Sequence, residues 1–170
     1  MEKWKKSIRD VPDFPKKGII FKDITPLLSN PLVFRQVIRK MKSYLNEFKI
    51  EAIVAAESRG FIFGAPLSVQ LGVPFIPVRK AGKLPSETVC VTYDLEYGQD
   101  TICIHKDALK IGQRVAIIDD LLATGGTAEA IESLVKKLCA TPVTHLFLIE
   151  LGFLNGRKKL TAPVKSFITY

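Results

Sequence analysis

The chain has 170 residues, of which 47% are hydrophobic and 25% charged, and it carries a formal net charge of +8. That composition describes one globular domain with a substantial core and excludes disordered and fibrous classes. No apolar run approaches a membrane span, and Met-Glu-Lys-Trp-Lys-Lys followed by prolines lacks the plan of a secretory signal, so no membrane partner and a cytoplasmic location are expected. Cys90, Cys103 and Cys139 have neither metal nor redox spacing and read as buried free thiols in a reducing compartment. The positive balance suits polyanions, either nucleic acid or phosphorylated small molecules. Its residues are scattered, in groups such as Lys3, Lys5 and Lys6 or Arg157, Lys158 and Lys159. No aromatic-interleaved basic stripe is present, so no nucleic-acid partner is expected.

In chain order, residues 3–9 read as a short helix and residues 11–30 as an extended Pro- and Gly-rich stretch. Asn30-Pro31 opens a helix to about Phe48, with Phe34, Ile38, Met41 and Leu45 on one face. Ala52 to Ala56 is a buried strand, Phe61 to Leu71 a helix ended by Gly72-Val73-Pro74, and Phe75 to Val78 the next strand. Arg79 to Thr88 reads as a polar loop. Val89 to Leu95 and Thr101 to His105 form a hairpin connected by Glu96 to Asp100. Val115 to Ile118, a helix from near Gly126, and Val143 to Glu150 continue a strand–helix–strand rhythm. A short helix at Asn155 to Leu160 and a strand at Val164 to Ile168 close the chain. Alternating strands and helices predict an α/β fold with a mostly parallel sheet, here with an antiparallel hairpin attached.

Three strand-to-loop junctions carry the chemistry. In the first, the apolar run Val115-Ala116-Ile117-Ile118 stops at Asp119 and Asp120, and Leu121-Leu122-Ala123-Thr124-Gly125-Gly126-Thr127 follows. Open α/β sheets bind ligands at the carboxyl ends of their strands. A small-residue loop running into a helix start presents backbone N–H groups to an anion. Two acids beside such a cradle suit a group that carries both hydroxyls and phosphate, such as ribose 5-phosphate. The plainer reading is a strand, a turn and a helix cap. Walker A chemistry is excluded, because Gly126 is followed by Thr127 and Ala128 rather than by Lys and Ser or Thr. The second junction is Ala55-Ala56-Glu57-Ser58-Arg59-Gly60, where Arg59 can fork onto phosphate or can be a surface cation beside a capping turn. The third is Arg79-Lys80-Ala81-Gly82-Lys83-Leu84-Pro85, three cations within five residues after a buried strand.

The segment from Val115 to Thr127 resembles the signature of the type I phosphoribosyltransferases, which use phosphoribosyl pyrophosphate (PRPP). The wording Asp-Asp-Leu-Leu-Ala-Thr-Gly-Gly-Thr is similar to the branch that acts on adenine. Further stretches occur in the family's order at 11–26, 57–64, 79–85 and 93–98, so the resemblance runs from Val11 to about Leu160. It implies a single type I phosphoribosyltransferase-like domain over 1–170, with a small N-terminal hood for the base (1–30) and a flexible loop and antiparallel hairpin lid (79–105).

The resemblance also implies roles. Ala123, Thr124, Gly125, Gly126 and Thr127 would hold the 5′-phosphate, and Asp119 and Asp120 the ribose hydroxyls. Glu57, Ser58, Arg59, Arg79 and Lys83 would meet pyrophosphate, the 79–85 loop partly across a homodimer interface. Arg59, Asp119, Asp120 and Glu96 form the catalytic set, with Glu96 and Tyr97 on the lid and Glu96 handling the purine proton. Phe21 would stack on adenine while the backbone of Ile20 and Lys22 reads its edge; from the residues alone, Phe21 reads equally well as a core Phe of a strand. Relatives often carry Arg where Lys22 stands, and Lys lacks Arg's planar fork. Mg²⁺ is the implied cofactor, held mainly by PRPP and water with Asp119 and Asp120 nearby. The implied reaction is adenine plus PRPP giving AMP and pyrophosphate. Two other readings stand beside it: the same chemistry on hypoxanthine or xanthine, and a PRPP-sensing regulator that binds RNA or DNA. His105 and His145 have no metal partner in the sequence, and Asp23 reads as fixing the turn before Pro26.

Overall fold

A strand that is apolar on both faces needs cover on both sides, and the central strands of this chain are of that kind. The computed structural model describes residues 2–94 and 98–170. They fall into two compact units, residues 1–40 and 41–170.

The larger unit is built on a seven-stranded sheet. Its strands are β3 (Ala52–Ala56), β4 (Phe75–Lys80), β5 (Thr88–Asp94), β6 (Gln99–His105), β7 (Arg114–Leu122), β8 (Thr141–Glu150) and β9 (Val164–Thr169), in the order β5-β6-β4-β3-β7-β8-β9. The five strands from β4 to β9 pair in parallel, and the β5–β6 hairpin adds antiparallel strands at one edge. Helix α4 (Arg59–Leu71) follows β3, and α5 (Gly126–Lys137) follows β7. Strand alternation divides the core between them. Ala52, Val54, Ala56, Val115 and Ile117 pack with Ile131, Leu134 and Val135 of α5. On the opposite side Gly64 of α4 lies so close to Ala55 and Phe75 that a Cβ there would stand 3.1 Å from the Ala55 methyl.

The smaller unit holds a short helix α1 (Glu2–Lys5), an antiparallel pair β1 (Arg9–Pro12) and β2 (Ile20–Asp23), and one turn of helix α2 (Thr25–Leu28). The Phe14–Pro15 peptide between the two strands is cis. Helix α3 (Pro31–Leu45) follows; the Asn30 side chain accepts from the Val33 N–H at 3.2 Å, as its position before Pro31 predicted.

Several expectations are corrected. Strand β7 runs on through Asp119 and Asp120 to Leu122 rather than stopping at Ile118, because Leu122 is buried and still pairs with Glu150 of β8. Strand β4 likewise takes in Arg79 and Lys80, which pair with Cys103 and Ile102. The buried seam of α3 is Val33, Val37, Ile38, Met41 and Leu45, with Phe34 half-buried. Cys90 and Cys103 are not free thiols: they face each other across the hairpin and form a disulfide, while Cys139 is free and exposed. Among the described residues no helix is long and apolar enough to cross a membrane.

Candidate active site

The carboxyl ends of β3, β4 and β7 meet at one edge of the parallel sheet, and the three junctions of the sequence meet with them. Two adjoining cavities open there. One, of about 300 Å³, is lined by residues of the second and third junctions, by Tyr93 and Asp100 of the hairpin, and by Asp119, Asp120 and Thr127. The other, of about 210 Å³, is lined by Arg59 and the whole run from Asp119 to Ala128, with Phe147 at its back. Arg59, Asp119, Asp120 and Thr127 belong to both.

The acid pair sits where they join. Asp120 lies two residues beyond Ile118 and is only 3% exposed. Its carboxylate is met by Nε of Arg59, the first residue of α4, at 2.5 Å. Asp119 lines both cavities, and its Oδ1 accepts from the Asp120 N–H at 2.8 Å. Burial pushes the Asp119 carboxyl well above the usual carboxylate range, and the negative charge of Asp120 beside it adds to the rise. Gly60 is required beneath this carboxylate: a Cβ there would stand 3.0 Å from the Ile118 carbonyl and 3.1 Å from Asp119 Oδ1.

Downstream, Ala123 to Thr127 turn the chain from β7 into α5. Gly125 caps the helix in the left-handed region at φ 85°, which a residue with a Cβ adopts at a cost. The first N–H groups of a helix have no partner within it, so Gly126, Thr127 and Ala128 present donors at the positive end of the helix dipole. The Thr127 hydroxyl also meets the Tyr93 hydroxyl at 3.1 Å.

On the other side, Glu57 ties two junctions together. One carboxylate oxygen takes the Lys80 backbone N–H at 2.7 Å, and the other takes Nη2 and Nε of Arg79 at 3.0 and 3.3 Å. The Lys80 N–H, with help from Arg79 and against partial burial, holds the Glu57 carboxyl below its usual range. The Glu57–Ser58 peptide is cis. Arg79 also donates to the Lys83 carbonyl at 3.1 Å, which folds the turn around Gly82. Lys80 pairs with Asp100 at 2.9 Å, and that carboxylate raises its pKa.

The structure therefore brings Glu57, Ser58, Arg59, Asp119, Asp120 and 123–127 to one place, with Arg79 held by Glu57 and its guanidinium bonded to the Lys83 carbonyl. Sequence reasoning missed Tyr93 and Asp100 and gave Lys80 no role. Alternation was the available signal, since Tyr93 and Val91 fall on the face of β5 that packs toward the core. Glu96 and Tyr97 lie outside the described residues. In the smaller unit, Ile20 is 54% exposed, and Phe21 is half-buried with its ring edge-on to Phe14 at 5.2 Å. The Lys22 ammonium is paired with Asp10 at 2.7 Å. Asp23 accepts from the Thr25 N–H at 2.8 Å and fixes the turn before Pro26.

Among the described residues no cluster of three or more His, Cys, Asp or Glu could hold a metal ion. His145 is fully buried and its Nε2 donates to Glu132 at 2.7 Å.

Known proteins are similar to this chain in sequence and fold. The family model for the phosphoribosyl transferase domain matches residues 23–152. A relative from Carboxydothermus hydrogenoformans, named adenine phosphoribosyltransferase, is 54% identical over 167 residues, 98% of each chain. The crystal structure of adenine phosphoribosyltransferase from Thermoanaerobacter pseudethanolicus superimposes with a TM-score of 0.97 at 53% identity, covering 99% of both chains. That of the Saccharomyces cerevisiae protein, solved with an imino-altritol bisphosphate and adenine, gives 0.94 at 46% identity over 97% of this chain and 96% of its own. A family match over most of the length and identity above one half to relatives of equal extent make this chain a member of the phosphoribosyltransferase family, in its adenine phosphoribosyltransferase branch.

Proposed function

We propose that this chain transfers the phosphoribosyl group of PRPP to adenine, giving AMP and pyrophosphate, with Mg²⁺ accompanying PRPP. One observation carries the reading. An acid pair stands between an anion-accepting loop and a set of cations, in two cavities that share Arg59, Asp119, Asp120 and Thr127. PRPP has the same order of groups: a phosphate, a ring with hydroxyls, a pyrophosphate.

In this reading Ala123, Thr124, Gly125, Gly126 and Thr127 take the 5′-phosphate through backbone N–H groups and the Thr hydroxyls. Asp119 and Asp120 face the ribose hydroxyls, and the negative charge that the pair shares favours the positive charge that develops on the ring as the bond from C1′ to pyrophosphate breaks. Arg59, Arg79, Lys83 and the backbone of Glu57 and Ser58 receive the leaving pyrophosphate. The Glu57 carboxylate stays on Arg79 and holds it in place. Adenine N9 bonds to C1′, and the proton it loses goes to Glu96 on the lid with Tyr97. Phe21 stacks on the base, worth about 1–3 kcal/mol by analogy with other base–aromatic contacts. The pairing of Lys22 with Asp10 supports a backbone role for Ile20 and Lys22 rather than a side-chain one.

The donor set suits Mg²⁺. The phosphate and hydroxyl oxygens of the substrate, with water, would hold the ion, and Asp119 and Asp120 would place hard oxygens and negative charge nearby. When bound, the ion supplies charge that offsets the pyrophosphate. We also place the enzyme in the cytoplasm as a homodimer, with the 79–85 loop near the interface. Light scattering at about twice the chain mass supports the dimer. AMP formation that needs PRPP and adenine, and that is lost in EDTA and restored by Mg²⁺, supports the reaction; turnover unaffected by the chelator contradicts the metal assignment.

A further inference from the structure

Glu150 is a carboxylate that follows the apolar run Leu146 to Ile149 at the end of β8, and Arg157 opens a run of three cations. The fold gives both a more specific place. Strand β8 lies beside β7, and the Leu151 N–H donates to the Leu122 carbonyl at 2.9 Å, one residue before the loop at 123–127 begins. Beyond Asn155, which takes φ 54°, the chain makes a 3-10 turn over Gly156–Lys159. This turn lies directly against the loop. A Cβ on Gly156 would stand 2.7 Å from the Gly125 nitrogen and 2.9 Å from the Thr124 carbonyl carbon, and nearer still to the Ala123 carbonyl oxygen.

What holds the turn there is the residue after Gly156. Arg157 donates Nε and Nη2 to the two oxygens of Glu150, at 3.0 and 2.5 Å, and Nη1 to the Val164 carbonyl at 2.9 Å. Glu150 is 7% exposed and also accepts the Ser166 hydroxyl. A planar fork satisfied on both sides fixes orientation as well as distance. The strand ends of β8 and β9 therefore reach the loop through one arginine.

We propose that Arg157 is a positioning residue for the 5′-phosphate: clamped by Glu150, it sets Gly156 against the backbone of Ala123 to Gly125 and so fixes the direction of the loop's N–H groups. The proposal rests on the assignment of that loop to the 5′-phosphate. Arg157 touches no substrate in it. Its loss moves the donors without removing any, so the effect falls on the phosphate end of the substrate alone.

The test uses ribose 5-phosphate and pyrophosphate as separate inhibitors against PRPP. In Arg157→Lys, which keeps charge but not the fork, the inhibition constant of ribose 5-phosphate and the KM for PRPP rise by about tenfold, as expected for a small misplacement of binding groups. The constant for pyrophosphate and the KM for adenine stay within about twofold. Ser166→Ala, a milder change that removes one contact to Glu150, moves the same two constants in the same direction and carries the test if Arg157→Lys does not fold. Gly125→Ala serves as the loop control. If it weakens ribose 5-phosphate while Arg157→Lys and Ser166→Ala do not, the clamp proposal is overturned and the loop assignment stands. If Gly125→Ala itself leaves ribose 5-phosphate unaffected, the loop assignment fails and the clamp proposal with it. A uniform rise in all four constants overturns positioning in favour of a general structural role.

Discussion

Replacing Glu132 by Ala removes the centre of a buried polar network beneath helix α5. Glu132 is 3% exposed and receives four hydrogen bonds: from His145 at 2.7 Å, Lys136 at 2.6 Å, the Thr161 N–H at 3.2 Å and the Thr161 hydroxyl. The His145 ring has no second hydrogen bond, since its Nδ1 is buried with no hydrogen-bond partner among the described residues. The variant therefore leaves a whole imidazole unpaired as well as a cavity. Breaking one side of a buried, hydrogen-bonded pair costs about 3–5 kcal/mol. Lys136 is half-exposed and solvates readily, so the lower part of that range, about 3 kcal/mol, is expected. For a chain of this size that is a fall in Tm of about 6–12 °C. Urea unfolding measures it directly. Glu132→Gln, which keeps the shape and one acceptor, should cost about 1–2 kcal/mol.

The same network predicts a pH dependence. Burial pushes the Glu132 carboxyl up, but the bonds from His145, Lys136 and Thr161 outweigh it and hold its pKa below the usual 4.5. A depressed folded pKa means stability that is present above 4.5 and lost as the pH falls through the folded value. The acid limb of stability should therefore be shallower in Glu132→Gln than in the wild type. A loss under about 1 kcal/mol in Glu132→Ala, or parallel acid limbs, would refute the reasoning.

Asp120→Asn removes the partner of Arg59 and should lower kcat/KM by about 10²–10³, the range for loss of one preorganised electrostatic group, as read by steady-state AMP formation. Tyr93→Phe deletes the hydroxyl that meets Thr127; a rise of about three- to tenfold in the KM for PRPP, with kcat little changed, is expected from initial rates. Thiol titration of the unfolded, unreduced protein should find one reactive cysteine, Cys139, and three after reduction. Three before reduction would return Cys90 and Cys103 to the free state.

Much of this was legible because strand, loop and chemistry coincide in sequence. Val115 to Ile118 announces a buried strand, and the small residues 123–127 announce a loop at its end; the structure makes the first part of interior strand β7 and places the second past that strand's carboxyl end, lining a cavity. The end of β7 was missed because two carboxylates look like a strand end, and only the neighbouring strand, through Leu122 and Glu150, shows that pairing continues. Partners in the third dimension were not legible. Glu57 bonds across to Arg79 and Lys80 because β3 and β4 are adjacent and parallel, which a sheet order unknown from sequence decides. The Cys90–Cys103 pair was not legible either, because a connection read as Glu96 to Asp100 sets Cys90 opposite Lys106, and only the register of the folded hairpin brings the two cysteines together. The Glu150–Arg157 fork left no local signal, being made by a strand end and a turn seven residues later.

The measurement that bears most directly on the central claim is AMP-type product formation from PRPP and Mg²⁺, with adenine, hypoxanthine, guanine and xanthine assayed in parallel. A 6-oxo purine offers an acceptor where adenine offers an amino donor, so a site built for one leaves buried polar groups unmatched with the other. Turnover with adenine alone is the predicted result. Turnover with an oxopurine would leave the sites at 57–60 and 119–127 standing but discard the adenine assignment of Ile20 to Lys22. PRPP binding with no turnover on any base would contradict the account and put the regulator reading first.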